Sequence, residues 1–368
     1  MRLVIAGGGT GGHLFAGVAV AEALKELDPA AEVLFVGTAR GIEVRAVPKA
    51  GFEVELIDVA GLKGTSLVHR LTTLTKLPRS LLQSRRILRR FGADAVLGVG
   101  GYASGPVLVA AKTMGLPTAI CEQNSVPGVT NRILGKLVDR VFVTFAASRP
   151  WFPAGKTELV GNPVRKSFRD AARRHDEVMP TPGRIFTFGG SQGARPLNEV
   201  VPQALGRLVT KGRALTALHQ AGKDAVDGVA SAYREAGVHA EVTPFIDDMV
   251  SAYRAAELVI CRAGATSCAE VTALGVPAIL VPFPQAADDH QTMNAKDLVD
   301  QGAAVVVPQS ELTPERLASV IAAILDDEPR RRALKAGALA AGRLNAAEVV
   351  ARAAIAGFSG PSALGGRP

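Results

Sequence analysis

His13 closes the stretch GGGTGGH, residues 7–13, which directly follows the apolar run LVIA at residues 3–6. A glycine cluster between a strand and a helix leaves backbone N–H groups uncovered at the positive end of a helix dipole, so the stretch favours an anion. In the first turn of that helix the charged imidazolium is disfavoured. A neutral His13 is then able to take a proton near pH 7, as a general base must; the same position also suits a solvated or packing histidine. Two further glycine clusters follow strand-like runs, GVGGYASG at 98–105 and GGSQG at 189–193. They either wall a ligand site at the carboxyl ends of parallel strands or simply permit tight turns and close helix packing.

The phosphate chemistry of the first loop can be narrowed. Gly7, Gly9 and Gly12 satisfy GxGxxG, but a dinucleotide site also needs an acidic residue about 20 residues further on. There VLFVG is followed by Thr38, Ala39 and Arg40, which leaves open only an NADP 2'-phosphate on Arg40. A triphosphate P-loop needs Lys and a hydroxyl residue where this chain has His13 and Leu14, and is excluded.

Other candidate groups lie further along. Ser191 and Gln192 stand just ahead of a helix, where N–H groups and a hydroxyl can clamp a diphosphate, each dipole contact being worth about 0.3 to 1 kcal/mol; Ser191 also suits an ordinary helix cap. In RAGATSCAE, residues 262–270, Glu270 falls in the second turn of a helix. A carboxylate there can accept from two vicinal ribose hydroxyls, or be a solvated helix glutamate. PFPQAADDHQTMNA gathers Asp288, Asp289, His290, Gln291 and Asn294, a hydrogen-bonding surface for a polyhydroxylated ligand. Asp289 and His290 diverge on a helix, which suits metal ligation poorly, and the chain has no DxD triplet, so neither metal nor other cofactor is expected. CEQNSVPG places Glu122, Gln123 and Asn124 at another strand's carboxyl end.

These groups need elements to hold them. The short β-like runs RLVIA, EVLFVG, FEVELIDV, AVLGVG, PTAIC, RVFVTF and ELVG alternate with helix-length amphipathic segments, the pattern of a parallel sheet wound with helices. After the polar passage 173–184 the pattern restarts with RIFTFGG and continues through ALTALHQ, HAEVTPF, ELVIC, PAILVPF and AAVVVP. Two doubly wound units are expected, consistent with a 368-residue chain. The segment after Pro314 reads as helical to Phe358, and residues 359–368, rich in Gly, Pro and Ser, as a disordered tail.

Composition, 48% hydrophobic and 21% charged, is that of a soluble α/β protein. The three cysteines, Cys121, Cys261 and Cys268, lack metal or CxxC spacing and read as reduced thiols of a cytosolic protein. The amino terminus lacks a signal-peptide core, and the uncharged stretch 95–111 is broken by glycines and falls short of the roughly 20 residues that span a bilayer. The net charge of +8 is uneven: residues 1–165 hold 20 Lys+Arg against 12 Asp+Glu, leaving 22 of each in the remainder. Between Asp58 and Asp94 there is no acid, but there are Lys63, Arg70, Lys76, Arg79, Arg85, Arg86, Arg89 and Arg90. This segment, 63–91, reads as helical with leucines on one face and Pro78 opening a second helical piece. Its cations suit an anionic membrane surface at about 1 kcal/mol each, or only a solvated face. With Phe91 its only aromatic, it offers no stacking platform for nucleic acid.

Taken together, the glycine loops, EQN, GNPVR, GGSQGAR, RAGATSCAE and PFPQAADDHQTMNA resemble the MurG family of cell-wall glycosyltransferases, in the same order from Arg2 to about Phe358. Ala16 stands where the family usually has proline. The resemblance implies a GT-B fold, two Rossmann-like domains facing across a cleft. It implies a metal-independent, inverting transfer of N-acetylglucosamine from UDP-N-acetylglucosamine to the 4-hydroxyl of the muramyl sugar of lipid I, giving lipid II at the cytoplasmic face of the cell membrane. It divides the chain into an acceptor- and membrane-facing domain at 1–163, onto which a carboxyl-terminal helix at 343–358 packs back, and a donor-binding domain at 164–342.

Position by position, the resemblance makes Thr10, Gly11, Gly12 and Asn124 donor contacts from the first domain. Arg165 and Ser191 become donor-binding residues, Ser191 near the phosphates. Ile246 meets the uracil through its backbone, Glu270 binds the ribose, and Ala265, Thr266, Ser267, Cys268 and Ala269 line the same pocket. Gln291 reads the sugar hydroxyls, and His13 assists deprotonation of the acceptor. The readings that compete with this one are a UDP-sugar 2-epimerase, an NADP oxidoreductase, and a non-catalytic membrane or nucleic-acid module.

Overall fold

The chain was analysed as a computed structural model, in which residues 1–8, 11–39, 41–59, 67–174 and 179–359 are described, 67–77 by their backbone alone. Thr10, Arg40 and Lys63, the side chains of Arg70 and Lys76, and the tail from residue 360 lie outside the described residues. The chain divides into two compact units, one of Met1–Lys166 with the segment that starts at Leu344, the other of Ser167–Arg343.

The first unit is built on seven parallel strands: β1 (Arg2–Gly7), β2 (Glu32–Gly37), β3 (Glu53–Leu56), β4 (Ala95–Gly100), β5 (Thr118–Glu122), β6 (Arg140–Val143) and β7 (Thr157–Leu159), in the order β3-β2-β1-β4-β5-β6-β7. Helices α1 (Gly11–Leu27), α2 (Glu43–Lys49), α3 (Leu67–Phe91), α4 (Ser104–Thr113) and α5 (Val129–Leu137) connect them. The run LVIA is apolar at every position because β1 is covered on both faces. Leu3 and Ile5 pack with residues of α1 and of the helix Ala346–Ile355, whereas Val4 and Ala6 point the other way, into a cluster with residues of α3 and α4.

One expectation fails here. Pro78 does not open a new helix: α3 runs from Leu67 to Phe91 with Pro78 inside it. A proline in a helix interior removes one i→i−4 bond and crowds a carbonyl, which bends a helix but need not end it.

The second unit repeats the plan with β8 (Arg184–Phe188), β9 (Thr216–Gln220), β10 (His239–Thr243), β11 (Leu258–Cys261), β12 (Ala278–Leu280) and β13 (Val305–Val306), parallel and ordered β10-β9-β8-β11-β12-β13. Its helices are α6 (Lys166–Arg173), which begins at the boundary, α7 (Arg195–Thr210), α8 (Val226–Glu235), α9 (Met249–Ala255), α10 (Ala265–Leu274), α11 (His290–Asp300), α12 (Pro314–Leu325) and α13 (Glu328–Ala341). Each sheet reverses its winding direction once, between β1 and β4 in the first unit and between β8 and β11 in the second. At such a point the connections leave to opposite sides and open a crevice beyond the strand ends, where ligands bind in this class of fold.

Candidate functional site

In the first unit the reversal point is occupied by two glycine segments. β1 and β4 end paired at Gly7 and Gly100, just past a shift of register between Ala6 and Gly7, and the Gly8 N–H donates to the Gly100 carbonyl at 3.3 Å. Ser104 Oγ, buried, accepts the Gly100 N–H at 3.2 Å and lies 2.7 Å from the Ala6 carbonyl and 2.9 Å from that of Gly100. One hydroxyl thus fastens the two strand ends together. Gly100 has φ +100° and Gly101 φ +82°, a region that side-chain-bearing residues avoid.

Gly11, Gly12 and His13 are the first three residues of α1, which has no acidic residue in its first turn. The first N–H groups of a helix have no partner inside it, which puts the positive end of the α1 dipole here, and the buried Glu43 carboxyl lies nearby, since a Cβ on Gly8 would fall 2.3 Å from it. The His13 ring lies against Gly100, where a Cβ would sit 3.0 Å from its Cδ2. Two residues on, the guanidinium of Arg165 stacks on the ring of Phe15, 4.7 Å from its centroid, which brings a cation to α1.

Asn124 follows β5. Its N–H donates to Glu122 Oε1 at 2.9 Å, while Asn131 Nδ2 donates to Glu122 Oε2 at 2.9 Å. Gln123 Nε2 donates to the Val99 carbonyl at 3.0 Å. Burial pushes the Glu122 carboxyl above its ordinary range, opposed by the hydrogen bonds from Asn124, Asn131 and Gly128. The EQN segment is therefore a buried brace that holds Asn124 beside the end of β4.

The second unit places its candidates at the equivalent point. Between β8 and α7, Ser191 is exposed in the loop and does not cap the helix, because the cap position is Ala194, in an extended conformation. Gly193 has φ +74°, and a Cβ on it would fall 1.9 Å from the Ala221 carbonyl, so this loop rests directly on the end of β9. Gln220, in turn, links that loop to Ile246.

After β11, Gly264 is the cap of α10, with no side-chain cap and no acid in the first turn. Ala265 through Ala269 are thus the opening residues of a second helix whose first turn carries no acid. Cys268 is buried, its thiol is pushed up to about 12 by burial, and its N–H donates to the Gly264 carbonyl at 2.9 Å. Glu270, buried at the end of the next turn, accepts the hydroxyl of Tyr253 at 3.2 Å. Burial and the neighbouring carboxylate push the Tyr253 phenol well above its ordinary value, so it stays a donor. Gln291 Oε1 accepts the Phe283 N–H at 3.0 Å. Before it, Asp288 and Asp289 both have positive φ, 52° and 51°, strain of the kind stored at ligand-handling loops.

Two residues support these in a way that the sequence pattern did not give. Arg262 Nη1 donates to the Val281 and Pro282 carbonyls, both at 3.1 Å, and Asn294 Nδ2 donates to the Ala263 carbonyl at 3.1 Å. Asn294, singled out as a ligand surface residue, is fully buried and acts as this brace. Buried Arg and Asn adjoining a glycine loop were the available signal.

Two Rossmann-type units, each with glycine loops and a helix amino terminus at its reversal point, define a protein that handles nucleotides or nucleotide sugars. Residues 3–143 match the glycosyltransferase family 28 N-terminal domain and residues 184–350 its C-terminal domain. The chain therefore belongs to glycosyltransferase family 28, within its MurG branch. It is 47% identical over 359 residues, 97% of this chain and 98% of the relative, to the UDP-N-acetylglucosamine--N-acetylmuramyl-(pentapeptide) pyrophosphoryl-undecaprenol N-acetylglucosamine transferase of Syntrophus aciditrophicus. A Geobacter sulfurreducens protein of the same name is 46% identical, covering 95% of this chain and 97% of that one. The crystal structure of Acinetobacter baumannii MurG matches with a TM-score of 0.75 at 32% identity, covering 95% and 98% of the two chains. UDP-GlcNAc 2-epimerase from Neisseria meningitidis reaches a TM-score of 0.68 at 11% identity over 97% and 100% of the chains, a likeness of fold alone.

Proposed function

We infer that this chain is an inverting N-acetylglucosaminyltransferase that moves the sugar of UDP-N-acetylglucosamine onto the 4-hydroxyl of the muramyl residue of lipid I, giving lipid II in peptidoglycan synthesis. The observation that carries this is similarity along nearly the whole chain to transferases that bear that name. In the reaction the acceptor hydroxyl attacks the anomeric carbon from the face opposite UDP, the C–O bond to the diphosphate breaks, and an α-linked donor becomes a β-1,4 product. His13 takes the hydroxyl proton. Charge grows on the departing diphosphate, and dipoles already oriented toward it stabilise it without reorganisation.

On this reading Ser191 and oriented N–H groups supply those dipoles, Arg165 binds the donor, Ile246 meets the uracil, Glu270 the ribose, and Ala265 through Ala269 line the same pocket. Gln291 reads the sugar, and Thr10, Gly11, Gly12 and Asn124 contribute from the first unit. The positive dipole ends of α1 and α10, with no acidic residue in either first turn, support it. The test is transfer of radiolabelled N-acetylglucosamine to a lipid I analogue, with and without EDTA and with an acceptor-free control. Acceptor-dependent labelling that survives EDTA is expected. Isomerisation of the donor with no acceptor present would instead make the chain an epimerase.

The chain is also read as a peripheral protein of the cytoplasmic membrane face, held through 63–91. Among the described residues no helix is long and apolar enough to cross a membrane. Leu82 on α3 is 68% exposed beside Arg79, Arg85, Arg86 and Arg89, while Arg90 is engaged by Glu55. On α5, Val129, Ile133 and Leu137 are exposed four residues apart, and α3 and α5 both flank α4.

A further inference from the structure

Gln220, the last residue of β9, is 3% exposed and bonds to two segments that are distant in sequence. Its Nε2 donates to the Gly190 carbonyl at 2.8 Å, and its Oε1 accepts the Ile246 N–H at 2.9 Å. The partners fix the orientation of the amide, since a carbonyl only accepts and a peptide N–H only donates. The contact is not isolated. Beyond the Gly193 approach described above, a Cβ on Gly222 would fall 2.2 Å from the Gln192 carbonyl. Asn198 Nδ2 donates to the Ala221 carbonyl at 2.9 Å, which holds residue 221 in place beneath the loop. The loop at 189–193 therefore has its position set by the end of β9, and the same strand end holds the backbone at Ile246.

We propose that Gln220 is a positioning residue that couples recognition of the donor's pyrimidine to placement of its diphosphate, by tying the Ile246 backbone to the loop that carries Ser191. This rests on the reading above that Ile246 and Ser191 touch the donor. Gln220 itself touches no substrate. Binding energy gained at the base is transmitted to the loop that faces the leaving group, the use of remote contacts that raises turnover as well as affinity.

The test compares Gln220→Met, which keeps length and loses both bonds, with Gln220→Glu. A carboxylate at 220 still accepts from Ile246 but repels the Gly190 carbonyl. A protonated carboxyl regains the donor, and burial raises the pH at which it forms. Donor KM, kcat and acceptor KM are measured near pH 8 and near pH 6, each normalised to the unsubstituted enzyme at the same pH. Both variants are expected to raise donor KM and lower kcat, by about tenfold or more in kcat/KM for the loss of buried hydrogen bonds, with acceptor KM unchanged. Gln220→Glu recovers near pH 6 and Gln220→Met does not. A wild-type donor KM in Gln220→Met, or equal impairment of Gln220→Glu at both pH values, overturns the proposal. Should Gln220→Met not fold, Gln220→Glu carries the test alone, because its two protonation states belong to one protein. Ser191→Ala, run in parallel, separates the two readings: if it leaves donor kinetics untouched, the assignment of the loop fails, whatever happens at Gln220.

Discussion

The imidazole of His13 lies on the α-carbon of Gly100, where a Cβ would stand 3.0 Å from Cδ2 and 3.2 Å from Nε2. A Cβ there would crowd the ring, and only glycine holds φ +100° without strain. Gly100→Ala therefore pushes the ring away while leaving its chemistry intact. Both Gly100→Ala and His13→Ala are expected to lower kcat by roughly a hundredfold or more, the worth of a positioned general base, with UDP affinity nearly unchanged. Steady-state kinetics with a UDP titration checks this. Near-normal turnover in His13→Ala would remove His13 from the role of base.

Glu270 is buried and already accepts from Tyr253, so its carboxylate is oriented before any ligand arrives. If it accepts ribose hydroxyls, its loss should be felt only by ligands that have them. Glu270→Ala should weaken UDP by about tenfold or more, the range for hydrogen bonds to a charged group, and 2'-deoxy-UDP by much less. Isothermal titration of the two nucleotides gives the ratio. An equal loss for both would assign Glu270 to holding α9 and α10 together.

His219 ties this architecture to pH. Asn198 spends its Nδ2 on the Ala221 carbonyl, so its Oδ1 faces His219 Nε2 at 3.0 Å as an acceptor, and Nδ1 at 2.9 Å accepts from Tyr233. The ring is thereby fixed as the neutral tautomer with the proton on Nε2. Burial depresses its pKa from 6.5 to about 3. Between those values the unfolded chain binds the proton and the folded chain does not, so stability present above the upper value is lost as pH falls toward the lower one. The slope attributable to this group is at most ~1.4 kcal/mol per pH unit. Denaturant unfolding at a series of pH values should show an acid slope shallower by one proton in His219→Gln. An unchanged slope would mean that the imidazole charges without unfolding.

How much of this the sequence carried depends on how local the signal is. The strand runs are legible because both faces of each sheet are covered, which makes residues such as Leu3 to Ala6 apolar without a break. The glycine loops are legible because Gly100, Gly190 and Gly193 occupy positive φ that other residues avoid. Ser191 read equally well as a helix cap, and only the backbone shows the cap to be Ala194. Gln220 gave no signal, since its partners lie 30 and 26 residues away and are brought to it by strand order. The continuity of α3 through Pro78 was hidden for a related reason: propensity favours a break, and the surrounding helix overrides it.

The proposed attachment to a membrane is expected to be separable from chemistry, because the exposed apolar groups stand apart from the glycine loops in sequence. Val129, Ile133 and Leu137 are 61%, 59% and 48% exposed along α5, and the Arg132 guanidinium lies 3.9 Å over the ring of Trp151, itself exposed. Each apolar side chain buried in lipid contributes about 1.5 to 3 kcal/mol, and each nearby cation about 1. Co-sedimentation should show binding to phosphatidylglycerol vesicles that weakens with salt, and little binding to phosphatidylcholine. Ile133→Asp with Leu137→Asp should abolish sedimentation while a water-soluble acceptor analogue is still turned over at the normal rate. Charge reversal at Arg79, Arg85 and Arg86 should weaken binding only at low salt. If the aspartate variant sediments as before, the contact must lie elsewhere on the first unit, because an apolar stripe cannot enter the bilayer interface with two carboxylates at its centre.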